Sequence, residues 1–185
     1  MNRSGFLVAA AALAVAPSAL ADGLPDSDLA HARLLVAVEL LLLDFYGRAV
    51  AAKRFRAPGL DVLRRAQANE AEHLTAVSGI LTGAGQVPAT ADDIDFAYPA
   101  RTFASAEGIA RVGQKLEQLA LGAYLGAVDG VRATALKQPL ARIAACEAQH
   151  LAAFRGEATG HELGQSFPPA LTIDEASDAL DAYTG

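Results

Sequence analysis

The sequence predicts an all-α chain: a four-helix bundle of two helical hairpins joined by a long crossover, with a short helix at the C-terminus. Three observations carry this. Long apolar runs are broken by Pro and Gly at intervals that suit helices. β-branched residues are sparse and strand-like alternation is absent. The two halves also repeat one another at an offset of 77–78 residues, the mark of a duplicated unit.

Taken in order, Ser27 or Asp28 caps a first helix whose apolar run passes through Leu34, Leu35, Val38 and Leu42 to about Phe55, before Pro58-Gly59 stops it. A second helix runs from about Leu60 to Leu81 and ends at Gly83 and Gly85. The next stretch carries Pro88, Pro99 and the acidic Asp92, Asp93 and Asp95 without helical period. A third helix starts at a Ser105 cap and reaches about Ala135. A fourth begins near Pro139, proline being tolerated in a first turn, and ends at Gly160. After Pro168-Pro169, Thr172 and Glu175 form a capping box for a last helix to about Tyr183. The short links after the first and third helices make hairpins. The second-to-third link exceeds the usual 2–8 residues, and at up to about 3.3 Å per residue it can span a bundle. A full-length crossover is therefore favoured over a short antiparallel turn, a wandering surface loop being the alternative.

A length of 185 residues suits one domain, and 52% hydrophobic against 19% charged residues argues against disorder. One cysteine excludes a disulfide scaffold and any four-cysteine metal site. A net charge of −6 without a basic cluster argues against nucleic acid as a partner. Residues 1–21 read as a secretory signal: Asn2 and Arg3, an apolar run from Gly5 to Ala16, then Ala19-Leu20-Ala21 as a cleavage site before Asp22. The run is short for a span of about 20 residues. The expectation is an exported bacterial protein, periplasmic or secreted, with no membrane span after cleavage. Its domain covers 22–185, with the bundle at about 27–160 and an extension over 161–185. No Arg-Arg pair or lipid-accepting Cys accompanies the signal, and the only Met leaves with it.

The repeat carries the chemistry. ELLLLDFYGRAV (39–50) aligns with EQLALGAYLGAV (117–128), pairing Glu39 with Glu117 and Tyr46 with Tyr124. NEAEHLTAV (69–77) aligns with CEAQHLAAF (146–154), pairing Glu70 with Glu147 and His73 with His150. Nine Glu and four His would give about 0.2 Glu-x-x-His pairs by chance, yet two occur, in register. Residues three apart share a helix face. The midpoints of Glu39 with Glu70 and of Glu117 with Glu147 fall close to the hairpin turns, so all six side chains stand near mid-bundle in either topology. Glu39 lies within VAVELLLL and Glu117 opens EQLALGAYL. Buried carboxylates must be paired, protonated or metal-bound. Arg65 and Arg142 are the candidate organic partners; two divalent cations would instead cancel four carboxylates, with imidazole completing each sphere.

A Glu from each of two helices plus Glu-x-x-His from each of the others resembles the di-metal carboxylate bundles of the ferritin-like superfamily across roughly Ser27 to Gly160. LDFYGRAV, GAYLGAV and EAQHLAAFR resemble its desiccation-related ferritin-like branch. The resemblance implies two divalent metal ions, iron favoured over manganese, with Glu70 and Glu147 bridging, Glu39 and Glu117 terminal, and one of His73 and His150 on each ion. Taken singly, a helical Glu is usually solvated and a His usually makes an ordinary hydrogen bond; the repeat, the matched heights and the apolar surroundings set these six apart. Tyr46 and Tyr124, about 10 Å along the same face from their Glu, either stand behind the ligands or relay an electron, or are core tyrosines with satisfied hydroxyls. Glu72 reads as surface, Glu157 and His161 as a solvated pair, Cys146 as a small core residue, and His31 as partnerless in sequence.

The expected function is an exported di-iron oxidase or peroxidase of ferroxidase type, with O2 or H2O2 as substrate. A manganese catalase-like enzyme is the nearest alternative. A stress or desiccation-related protein whose metals only brace the bundle is the alternative from another class. The sequence leaves catalytic residues unassigned and the oligomeric state open, a homo-oligomer among the outcomes. Absence of Met after cleavage argues against Met-ligated haem, and one Cys excludes a rubredoxin-type module.

Overall fold

The structure, a computed structural model, describes residues 23–185, so the signal expected over residues 1–21 lies outside the described residues. Five α-helices follow in order: α1 (Asp26–Ala51), α2 (Gly59–Gly83), α3 (Ala106–Gly130), α4 (Thr134–Thr159) and α5 (Ile173–Asp181). The first four form the bundle, α1 packing along α2, α3 along α4, and α1 on α3; α2 and α4 touch only sparsely. Among the described residues no helix is long and apolar enough to cross a membrane.

Contacts at the helix ends fix the topology. The Asp28 carboxylate, at the start of α1, accepts the backbone N–H groups of Arg132 (2.9 Å) and Ala133 (2.8 Å) beyond the end of α3. At the other end Phe45 stacks near Phe103, just before α3, with ring centroids 5.8 Å apart. So α1 and α3 are antiparallel. The link from α2 to α3 must then travel the length of the bundle, and it does so along α1: Arg33 donates to Gln86 at 2.9 Å, and the Tyr98 hydroxyl donates to Asp44 at 2.8 Å. The full-length crossover is present, broken only by two short 3-10 turns at Ala91–Asp93 and Thr102–Ala104.

Helix boundaries differ from expectation for local reasons. α1 begins after Pro25 with Asp26 in its first turn, and Ser27 and Asp28 lie inside it rather than capping it. It stops at Ala51 rather than near Phe55 because Lys53 turns to a positive φ of 54°. α3 takes its expected cap, Ser105 accepting from Gly108 N–H at 3.0 Å, but ends at Gly130 as Val131 extends. α4 begins at Thr134, not Pro139, directly after the short link whose Arg132 and Ala133 N–H groups Asp28 holds. Pro139 therefore sits inside α4, leaving the Ala135 carbonyl without its helical donor. α5 has the expected capping box, Thr172 N–H donating to Glu175 at 2.8 Å.

The chain after α4 returns across α3. Leu171 N–H donates to the Gly122 carbonyl at 2.9 Å, and a Cβ on Gly126 would lie 1.7 Å from the Leu171 carbonyl oxygen. Only glycine allows that approach. α5 then covers the seam between α1 and α3 with Ala176 and Leu180. The last residues pair with the crossover, Ala97 N–H on the Tyr183 carbonyl and Gly185 N–H on the Asp95 carbonyl, both at 2.8 Å.

Candidate metal centre

Each bundle helix delivers its polar residues to one level. Glu39 on α1, Glu117 on α3, and Glu70 and Glu147 on α2 and α4 are all 0% exposed; His73 and His150, one turn beyond the latter two, are each 8% exposed. The i, i+3 spacing places each imidazole over its own Glu, with His73 Nδ1 3.1 Å from Glu70 and His150 Nδ1 3.1 Å from Glu147. Each also reaches across: His73 Nδ1 lies 2.7 Å from Glu147 and His150 Nδ1 2.8 Å from Glu70. Glu39 stands 3.9 Å from His73, and Glu117 3.8 Å from His150.

Two sets of converging atoms result, Glu39, Glu70, His73 and Glu147 in one and Glu70, Glu117, Glu147 and His150 in the other, each within 4.8 Å. Glu70 and Glu147 belong to both. Arg65 and Arg142 are exposed and pair with none of the carboxylates.

The tyrosines do something the repeat alone does not show. The Tyr46 hydroxyl on α1 donates to Glu117 on α3, and the Tyr124 hydroxyl on α3 donates to Glu39 on α1. Each crosses to the carboxylate of the other hairpin, because α1 and α3 are antiparallel. Both phenols are pushed well above their usual range, first by burial and then by Glu117 at Tyr46 and Glu39 at Tyr124. They stay protonated and act as donors.

Asn69 and Cys146, the residues just before Glu70 and Glu147, stand outside the imidazoles. Asn69 Nδ2 lies 3.0 Å from His150 Nε2 and 3.4 Å from Cys146 Sγ, and that sulfur lies 3.6 Å from His150 Nε2. Cys146 is thus half-buried beside the site rather than a core residue. The i, i+4 spacing of Cys146 and His150 on one helix was the available signal, whereas the alignment of Asn69 with Cys146 in the repeat pairs residue types that share no chemistry. Glu72, Glu157 and His161 are exposed, as expected. His31 is buried against Gly130, its Nδ1 without a hydrogen-bond partner.

The donor set fits a cation pair. Glu39 Oε2 and Glu117 Oε2 are buried with no hydrogen-bond partner, and Glu70 Oε1 and Glu147 Oε1 have only an imidazole of the facing helix near them, His150 at 2.8 Å and His73 at 2.7 Å. Without a cation, protons must offset the charge. Burial, then repulsion from Glu70 and Glu147, pushes Glu39 and Glu117 well up. Burial also pushes Glu70 up, but hydrogen bonds from His150 and His73 outweigh it and hold that group at about 2. Burial opposes the charged His73 ring, yet bonding to Cys146, Glu147 and Glu70 lifts it to about 12, and His150 moves the same way for the same reasons. Divalent cations would displace these protons.

The family model of the ferritin-like domain matches residues 27–159. The comparison with curated proteins found no match.

Proposed function

The chain belongs to the ferritin-like domain family, and from that premise we propose an exported protein holding two divalent metal ions, iron before manganese, that acts as an oxidase or peroxidase of ferroxidase type on O2 or H2O2. The observation that carries this reading is the sharing of Glu70 and Glu147 between the two converging sets. Glu39 and His73 would complete one position, Glu117 and His150 the other, with Glu70 and Glu147 bridging. When bound, the metal pair supplies two redox-active centres with open coordination positions.

The chain's own residues prepare for that load. The Tyr46 and Tyr124 hydroxyls each hold one oxygen of Glu117 and Glu39, leaving the other free to ligate. An imidazole that binds a cation through Nδ1 carries its proton on Nε2. At His150 that N–H would need an acceptor, which Asn69, whose Nδ2 now lies 3.0 Å from Nε2, would provide by turning its amide to present Oδ1. Glu39, Glu70, Glu117 and Glu147 are themselves fully buried, and removal from water strengthens the charge interactions among them. Export rests on the composition of residues 1–21.

Metal analysis of protein from its native compartment separates iron from manganese. Aerobic oxidation of ferrous iron by the wild-type chain should be faster than by a Glu39→Ala/Glu117→Ala variant; equal rates sink the oxidase reading. Oxygen evolution from peroxide by manganese-loaded protein would replace it with the catalase-like one. Bound metal that stabilises the fold without either activity would leave a bracing role.

A further inference from the structure

At the end of the bundle where α1 turns into α2, a cavity of about 520 Å³ descends between α2 and α4 to a floor of Tyr46 and His150. Its walls are apolar, with Phe55, Leu63 and Phe154 inside and Val62, 48% exposed, toward solvent. The volume lies in the range of small-molecule sites, about 300–1,000 Å³, and far exceeds what O2, H2O2 or a metal ion requires. The cavity exists because α2 and α4 pack sparsely and the α1–α2 link is long, running over residues 52–58. At the place related to it by the internal repeat, the α3–α4 link is only residues 131–133, held down by Asp28. The opening is therefore one-sided.

The rim supplies the charge. Arg54 and Arg56 line the cavity and the exposed Lys53 adjoins them. Arg54 makes one long bond, 3.4 Å to the Phe103 carbonyl, and Arg56 has no ion pair among the described residues. Glu157 and Glu162 stand on the opposite wall, and no ion pair closes between the walls. The two lining arginines match the two carboxylates in number, and the excess positive charge on their side comes from the neighbouring Lys53.

We propose that this cavity binds an apolar organic anion, such as an aryl carboxylate or sulfonate, with its ring against Phe55 and Phe154 and its charge at Arg54 and Arg56. On the dinuclear reading, on which this one consequence rests, the bound molecule meets the position of Glu117 and His150 and not that of Glu39 and His73.

The test is a fluorescence titration of the full chain with anilinonaphthalene sulfonate in the presence of chelator, so that its outcome is independent of metal loading. We expect saturable binding at one site. Ala153→Trp, which fills the cavity from an exposed helix position, should weaken it at least about tenfold, or about 1.4 kcal/mol, and Arg54→Glu/Arg56→Glu should weaken it several-fold with the far-UV spectrum unchanged. Benzoate should displace the probe and benzylamine should not. Binding that is absent, insensitive to both variants, displaced by benzylamine alone, or lost in Leu163→Ser/Phe167→Ser, where exposed apolar side chains lie elsewhere, overturns the proposal. A chain that binds the probe as described but takes up no metal would sink the dinuclear reading and leave the cavity assignment standing.

Discussion

At the scale of single residues, the tyrosine–glutamate exchange between hairpins ties ligand geometry to the fold. Removing the Tyr46 hydroxyl leaves Glu117 Oε1 buried without a donor, and Tyr124→Phe does the same to Glu39 Oε1. A group that orients a metal ligand is worth about 10–100-fold in metal affinity. We expect each Tyr→Phe variant to bind ferrous or cobaltous ion that much more weakly in a chelator-competition titration, with helix content unchanged; wild-type affinity would reduce both tyrosines to packing residues. The six acidic and imidazole side chains were legible in the sequence because Glu39 and Glu117 interrupt apolar runs and Glu-x-x-His recurs in register. The partners of Tyr46 and Tyr124 were not, since spacing along one helix says only which face a residue occupies. Cys146 was misread although its i, i+4 spacing to His150 on one helix already puts the two side by side; what the sequence does not show is its contact with Asn69, which depends on how α2 meets α4.

At the scale of elements, capping signals were read correctly where the cap is local, as at Ser105 and Thr172, and wrongly where it comes from elsewhere in the chain. Asp28 looks like a helix cap in sequence, but its carboxylate instead anchors the α3–α4 link through the Arg132 and Ala133 N–H groups, more than one hundred positions away. Pro139 falls inside α4, which begins at Thr134 directly after that anchored link. The close approach of the C-terminal segment to α3 depends similarly on Gly126. Ala at that position favours the helix by about 1 kcal/mol, yet its Cβ would occupy the space of the Leu171 carbonyl. We expect Gly126→Ala to lift residues 169–185 from the bundle at a cost of about 1–3 kcal/mol. Hydrogen exchange should then accelerate at Leu171 and through α5 while α1–α4 keep their protection. Unchanged exchange across α5 would mean that the segment is held by its contacts with α1 and the crossover instead.

At the scale of the whole molecule, the hairpins meet along α1 and α3 through apolar packing, whereas α2 and α4 face one another mainly across the charged centre. The crossover topology was legible in outline from link length alone, but this asymmetry of packing was not, because amphipathic period does not say how closely two helices approach. It has an energetic consequence. A ligand bound only by the native state adds about 2.7 kcal/mol of stability when present at 100 times its dissociation constant, and in a chain of this size 1 kcal/mol moves Tm by about 2–4 °C. Stripping the metal should therefore lower Tm by roughly 5–10 °C for each such site, with the earliest loss of exchange protection at the α2–α4 seam rather than at α1 and α3. A Glu39→Gln/Glu117→Gln variant separates the ions from the carboxylates they neutralise. It gives up two ligands, so metal should no longer raise its Tm, but it also removes two of the four buried acidic groups that repel one another in the metal-free chain. Without metal it should melt above the stripped wild type at neutral pH, since folding of the wild type must bring protons onto two carboxyls whose folded-state pKa is raised, and the amides need none. If the stripped wild type and the variant melt together, with and without metal, the centre contributes nothing to joining the hairpins, and the apolar α1–α3 contact alone holds the bundle closed.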